Sequence, residues 1–187
     1  MTIQQQIIIS GVGGQGVLFV TRLLAEAAMM KGLPVLTSET HGMAQRGGTV
    51  VSHLKVGDFS SPLIRPGSAD GLLALKSESL ALHGAFVKLG GWAVINSGVP
   101  LQFTGDFTVE FVDADAIAGD IGNLKSVNLI MLGAALSRLA EGGALFCTLA
   151  DILSVLNVQM SGAPSKLESF IAAIQAGYTA NGHNLDF

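Results

Sequence analysis

Gln6 to Ser10 (QIIIS) is a β-branched run without polar alternation, which predicts a strand buried on both faces. Gly11 to Gly16 then break the run. From Gln15 to Lys31 the apolar residues Val17, Val20, Leu23, Leu24, Ala27 and Ala28 recur at helical spacing, and Gly32 stands where a helix stop belongs. Pro34 to Thr37 (PVLT) predicts a second strand. Strand, helix and strand at this spacing make a βαβ unit, the right-handed crossover of a parallel sheet.

Further along, Thr49 to Val56 alternates in part and predicts a strand, followed by the turn-rich GDFSSPLIRPGS. Strands are expected at Asp70 to Leu75, Trp92 to Asn96 and Phe107 to Val112, and helices at Ser77 to Leu89, Ser126 to Ala140, Leu149 to Leu156 and Lys166 to Ala176. Thr148 with Asp151, and Ser165 with Glu168, have the spacing of capping boxes. No repeat or long linker divides the chain. The expected fold is a single three-layer α/β/α domain over residues 1–187, with a mostly parallel or mixed central sheet and a Rossmann-like N-terminal βαβ unit.

Hydrophobic residues make up 49% of the chain and charged residues only 13%, about half the usual charged share. Either the chain is simply rich in Ala and Gly, or part of its surface is covered by a permanent partner. A net charge of −4 with no basic run argues against nucleic acid. The apolar stretch NLIMLGAALSRLA is interrupted at Arg138 and Glu141, short of the roughly 20 residues a membrane span needs. The N-terminus lacks a basic n-region, so a cytoplasmic location is expected. The one cysteine, Cys147, excludes an internal disulfide and any cluster held by several thiolates of this chain. It reads as a small buried apolar residue.

Two loops carry the candidate chemistry. GVGGQG sets Gly11, Gly13 and Gly16 in a G-x-G-x-x-G frame with Gly14 and Gln15 between them, after a strand and before a helix. Missing side chains let backbone approach a phosphate, and the first-turn amides carry about half a positive charge. A nicotinamide or flavin dinucleotide is one ligand this frame admits, with Glu39 near the place of a ribose-binding carboxylate. The second loop, Ser38 to Gly48, gathers Glu39, Thr40, His41, Gly42, Met43, Gln45, Arg46, Gly47 and Gly48. If its strand runs parallel to the first, both loops stand at one rim, where the Arg46 fork suits a phosphate or carboxylate. Among the other histidines, His53 is expected on a strand with a neighbour's hydrogen bond, and His83 and His183 in solvent. Met29, Met30, Met43, Met131 and Met160 are expected as core or interface filler.

GVGGQGVLFVTRLLAEAA followed by SETHGMAQRGGTVVSHLKVG closely resembles the gamma subunit, or gamma domain, of 2-oxoacid:ferredoxin (flavodoxin) oxidoreductases. It is most like the indolepyruvate-type small subunit or a stand-alone keto-acid gamma subunit. DADAIAGDIGNLKSVNLIMLGAAL is similar to the family's second half, where an Asn and a Leu-Gly-Ala run open a helix.

The resemblance implies a subunit of an enzyme that oxidatively decarboxylates a 2-oxoacid to an acyl-CoA and passes electrons to ferredoxin. It places thiamine diphosphate, Mg and the iron–sulfur clusters on alpha and beta partner subunits, with no catalytic or metal-binding residue on this chain. It implies that the two loops contribute to the coenzyme A side of the cleft, and that the isolated chain is inactive. Two other readings stay open on the residues alone: a free-standing dinucleotide-binding oxidoreductase or sensor, and a structural module whose glycine loop serves packing.

Overall fold

The computed structural model describes residues 3–41, 48–140 and 145–180. Its elements are β1 (Gln5–Val12), α1 (Val17–Met30), β2 (Val35–His41), β3 (Thr49–Val56), β4 (Ala69–Ala74), α2 (Ser79–His83), β5 (Val87–Asn96), β6 (Thr108–Val112), α3 (Ala114–Asp120), α4 (Val127–Ala140), α5 (Leu149–Gln159) and α6 (Pro164–Thr179). One six-stranded sheet runs in the order β2-β3-β1-β4-β5-β6. The pairs β1–β4, β4–β5 and β5–β6 are parallel, whereas β3 is antiparallel to both its neighbours.

The QIIIS run is buried on both faces as its composition requires. Ile7 and Ile9 join the large core under the helices, and Ile8 joins the smaller core on the other face. All six apolar positions expected to face inward from α1 are buried. Gly32 closes α1 with φ +70°, and the Leu33 amide reaches back to the Ala28 carbonyl at 3.0 Å. Helices α1, α3, α4, α5 and α6 contribute to the large core. The opposite layer is thin: α2, a 3₁₀ turn at Gly84–Phe86 and the segments around Ile64 and Leu101 cover the second face.

Several expectations change. β1 and β2 are parallel, as a βαβ unit demands, but they are not neighbours, because β3 is inserted between them with its own ladder to each. The helix expected over Ser77 to Leu89 is one short turn, α2. From Val87 the chain already belongs to β5, with an irregularity in the ladder to β4 before Trp92 pairs with Gly71. There the Trp92 ring fills the space a Cβ on Gly71 would occupy, 2.1 Å from its nearest ring atoms. Helix α3 was not expected; Asp113 caps it, accepting from the Ala116 amide at 3.0 Å. The Thr148–Asp151 capping box forms in both directions. That of Ser165–Glu168 does not, because α6 starts earlier, with Ala163 at its N-cap and Pro164 in its first turn. Met131 is fully buried, but Met29 and Met30 are 56% and 59% exposed and lie outside the core. No helix among the described residues is long and apolar enough to cross a membrane.

Helices α4 and α6 meet through two glycines. A Cβ on Gly133 would lie 2.0 Å from the Ile174 carbonyl oxygen, and one on Gly177 would lie 1.9 Å from that of Ile130. The two backbones touch, a contact open only to glycine.

Candidate functional site

The sheet reverses its build direction between β1 and β4: α1 carries the chain from β1 to one side, and β4, β5 and β6 extend the other. In open α/β sheets the crevice beyond the strand ends at such a point is where ligands bind. The GVGGQG segment lies there.

β1 continues through Gly11 and Val12, paired with Val50 and Thr49, so the turn itself spans only Gly13 to Gln15. Gly11 is packed rather than open, since a Cβ there would come within 2.8 Å of Gln15 Oε1 and 3.1 Å of Leu75 Cβ. Gln15 is committed to the protein. Its Oε1 accepts from the Val12 amide at 2.9 Å, and its Nε2 donates to the Leu75 carbonyl at 3.2 Å. That carbonyl also accepts from Asn96 Nδ2 at 3.3 Å, and the Asn96 Oδ1 accepts from the Ala114 amide at 3.1 Å. The carboxyl ends of β1, β4 and β5 are thereby tied together by two side-chain amides.

Gly13, Gly14 and Gly16 differ from Gly11. Gly13 has only the Gly48 carbonyl near a would-be Cβ, at 3.9 Å, and Gly14, with φ +94°, has nothing within 4 Å. Gly16 caps α1 with φ +82°, and its carbonyl accepts from the Phe19 and Val20 amides. The amides of Gly14, Gly16, Val17 and Leu18 have no partner among the described residues, and no acidic side chain stands in the first turn of α1. A hollow of about 400 Å³ lies over them, lined by Val12, Gly13, Gly14, Gly16, Val17, Leu18, Phe19 and Val50. Free amides at a positive helix end, with glycine surfaces around them, suit an anion.

One residue joins this site that sequence reasoning passed over. Asn128, the second residue of α4, is only 8% exposed. Its Oδ1 accepts from the Leu129 amide at 3.0 Å. Its Nδ2 lies so close to Gly16 that a Cβ there would be 2.2 Å away, and it donates to no group among the described residues. In the sequence Asn128 stands in a helix opening, and no local pattern connects it to a loop more than a hundred residues earlier.

The second loop arrives at the same rim. β2 ends at His41, opposite Val50, and β3 begins at Thr49, opposite Val12. The Gly13 amide donates to the Gly48 carbonyl at 3.0 Å, which joins the two glycine segments directly. The expected site residues Gly42, Met43, Gln45, Arg46 and Gly47 lie outside the described residues. Glu39 is exposed on β2, and Lys76 is exposed just after β4, at the switch-point edge.

Cys147 is 4% exposed, and burial pushes its thiol up to about 12, with the nearby Asp151 adding to the shift and Lys31 partly opposing it. A single thiol cannot hold a four-cysteine cluster, and no three His, Cys, Asp or Glu side chains among the described residues are grouped to hold a metal ion. At pH 8 the thiolate fraction is on the order of one part in ten thousand. Iodoacetamide should therefore leave the folded chain unmodified and alkylate it once in denaturant, as read by intact mass.

The family profile described as "Pyruvate ferredoxin/flavodoxin oxidoreductase" matches residues 6–180. The indolepyruvate oxidoreductase subunit IorB of Archaeoglobus fulgidus is 36% identical over 153 residues, covering 80% of this chain and 74% of that one. The gamma subunit of a keto/oxoacid ferredoxin oxidoreductase from Geobacter sulfurreducens superposes with a TM-score of 0.74 at 25% identity, covering 93% of this chain and 96% of that one. A 2-oxoglutarate:ferredoxin oxidoreductase from Magnetococcus marinus, solved with 2-oxoglutarate, coenzyme A and succinyl-CoA bound, shares the fold with a TM-score of 0.74 at 20% identity. This chain covers 30% of that longer one. The chain therefore belongs to the gamma, or small, subunits of the 2-oxoacid:ferredoxin oxidoreductase family.

Proposed function

We propose that this chain is the gamma subunit of an enzyme that oxidatively decarboxylates a 2-oxoacid to an acyl-CoA, with electrons leaving to ferredoxin. Its switch-point rim then forms part of the coenzyme A side of the cleft. The observation that carries the reading is the junction of the two loops at Gly13 and Gly48, beside free amides and the Asn128 side chain. Coenzyme A supplies the thiol that accepts the acyl group. The residues of this chain bind and orient its phosphates: the Gly14, Gly16, Val17 and Leu18 amides and Asn128 Nδ2 donate hydrogen bonds, and Arg46 adds charge from the second loop. Thiamine diphosphate, Mg and the clusters belong to alpha and beta partner subunits in this reading, consistent with a chain of one buried cysteine.

The dinucleotide reading is weakened by topology. It needs an acidic side chain at the end of the strand next to β1, but β3 occupies that place. Glu39 stands one strand farther out, about 9.5 Å from β1 by two strand spacings.

Purification of the tagged chain from native extract tests the subunit assignment. Thiamine-dependent partner subunits should co-purify, and a chain that runs alone would sink it. In the assembled enzyme, Asn128→Asp puts a negative charge where a donor stood. The apparent KM for coenzyme A should rise about tenfold or more, with kcat much less affected. An unchanged KM would remove Asn128 from the site.

A further inference from the structure

We propose that residues 57–68 form a strap across the thinly covered face of the sheet, and that acid releases this strap through His53, its latch. The strap connects the end of β3 to the start of β4. Its ends are fixed by hydrogen bonds: Gly57 N to the Pro34 carbonyl at 2.8 Å, Gln4 Nε2 to the Asp58 carbonyl at 3.0 Å, Gly67 N to the Ala85 carbonyl at 2.9 Å and Gln6 Nε2 to the Ser68 carbonyl at 3.0 Å. Its middle is held by two side chains of β3. Lys55 Nζ lies 5.0 Å from the centre of the Phe59 ring, and the Ile64 amide donates to His53 Nδ1 at 3.2 Å.

The second contact depends on the charge of the imidazole. An amide donates to a ring nitrogen only through its lone pair, so Nδ1 carries no proton while the strap is closed. An imidazolium has two N–H donors and no acceptor. Protonation at Nδ1 therefore sets one donor against another at a site where Ile64 is 3% exposed and His53 is 6% exposed. Ring and amide cannot both stay in place.

The surroundings give the added proton no compensation. Lys55 acts on His53 from its own strand, and His83 stands across the Phe86 ring, with ring centres 5.9 Å and 6.2 Å from Phe86 for His53 and His83 respectively. The register partners on β1 and β2 are Ile8 and Ser38, and the strap's own charges, Asp58 and Arg65, are exposed. Burial first, then Lys55, holds His53 below its ordinary range; burial first, then His53, does the same for His83.

The sign follows. Well above about pH 6.5, the ordinary histidine value, the ring is neutral with the strap open or closed, and closure is at its strongest. As pH falls below that value the open state takes up the proton first, and closure weakens progressively through the lower value of the closed state.

His83 is not the latch, contrary to its expected place in solvent. Its Nδ1 lies 3.0 Å from the Ser10 hydroxyl, which itself contacts Ser79 Oγ at 3.0 Å. A hydroxyl both donates and accepts, so a protonated His83 keeps this contact, donating to Ser10 while Ser10 donates to Ser79. Release of the strap would uncover Ile64 and its neighbours in the smaller core, Val51 and Phe86 among them.

Hydrogen exchange on the full chain at pH 7.5 and pH 5.5, corrected for intrinsic rates, tests the latch. The peptide over 57–68 should lose close to tenfold of its protection at the lower pH, the most that one group of ordinary value about 6.5 can contribute between these pH values, while peptides from β1 and β4 keep theirs. In His53→Gln the side-chain carbonyl can accept from the Ile64 amide without titrating, and the strap should change by less than about threefold. Equal wild-type protection at both pH values overturns the proposal, as does a tenfold loss retained in His53→Gln. Loss spread evenly over all peptides is global unfolding and also overturns it. If His53→Gln does not fold, His83→Gln decides: it should keep the tenfold loss, and an abolished response would assign the effect to His83 instead.

Discussion

Gly177→Ala is expected to lower the stability of this chain by about 3 kcal/mol or more, a fall in Tm of roughly 6–12 °C for a protein of this size. The new methyl would sit 1.9 Å from the Ile130 carbonyl oxygen, 2.6 Å from its carbon and 2.8 Å from its Cα, all backbone atoms of a packed helix. No rotamer change relieves the clash, so α4 and α6 must move apart. Ile130 and Ile174, both fully buried, would lose their packing with them. Alanine is about 1 kcal/mol better than glycine within a helix, and this offsets only part of the loss. Gly133→Ala should cost a similar amount, since its methyl meets the Ile174 carbonyl at 2.0 Å. Because both glycines serve one contact, the double variant should lose clearly less than the two single losses added. Gly119→Ala is the control: it lies in α3 with nothing within 4 Å of the new methyl, and it should be neutral or slightly stabilising. Thermal unfolding followed by circular dichroism reads all four. A Gly177→Ala chain as stable as the parent would mean the helices have more room than the structure gives them.

Gly16→Ala is expected to act on both stability and ligand. The residue sits at φ +82°, where a side chain costs about 1–2 kcal/mol, and its Cβ would lie 2.2 Å from Asn128 Nδ2. Asn128 would have to rotate away from the Leu129 amide that its Oδ1 accepts from, leaving the start of α4 less well held. A loss near 2 kcal/mol follows, and in the assembled enzyme the apparent KM for coenzyme A should rise tenfold or more. Gly14→Ala separates the two causes, since it carries the same backbone strain, at φ +94°, with open space around the methyl. Its stability loss should be smaller by about the displacement of Asn128. Equal losses in the two variants would show that the contact with Asn128 carries no energy.

Local patterns were sufficient where neighbours in sequence are neighbours in space. The QIIIS run, the helical spacing from Val17 to Ala28 and the Thr148–Asp151 box each depend on residues within a few positions, and each appears in the structure. The helix expected over Ser77 to Leu89 failed for a tertiary reason. Val87 starts a strand because β4 offers it a hydrogen-bonding edge, which the periodicity of the segment does not record. His83 looked like a solvent residue until α2 was folded onto β1, where Ser10 meets it.

Residue types and short spacings were enough to specify the α/β class, the glycine turn between β1 and α1, and the pairing of two motifs that marks the family. The tertiary structure alone decided that β3 lies between β1 and β2, since a ladder partner is chosen by the whole sheet and not by the strand's own alternation. It alone brought Asn128 to Gly16 and pressed Gly133 against the Ile174 backbone and Gly177 against that of Ile130, contacts spanning 112, 41 and 47 positions of the chain. Long-range contacts of this kind leave no periodic trace in a sequence: burial and close packing fix them only after the helices have docked.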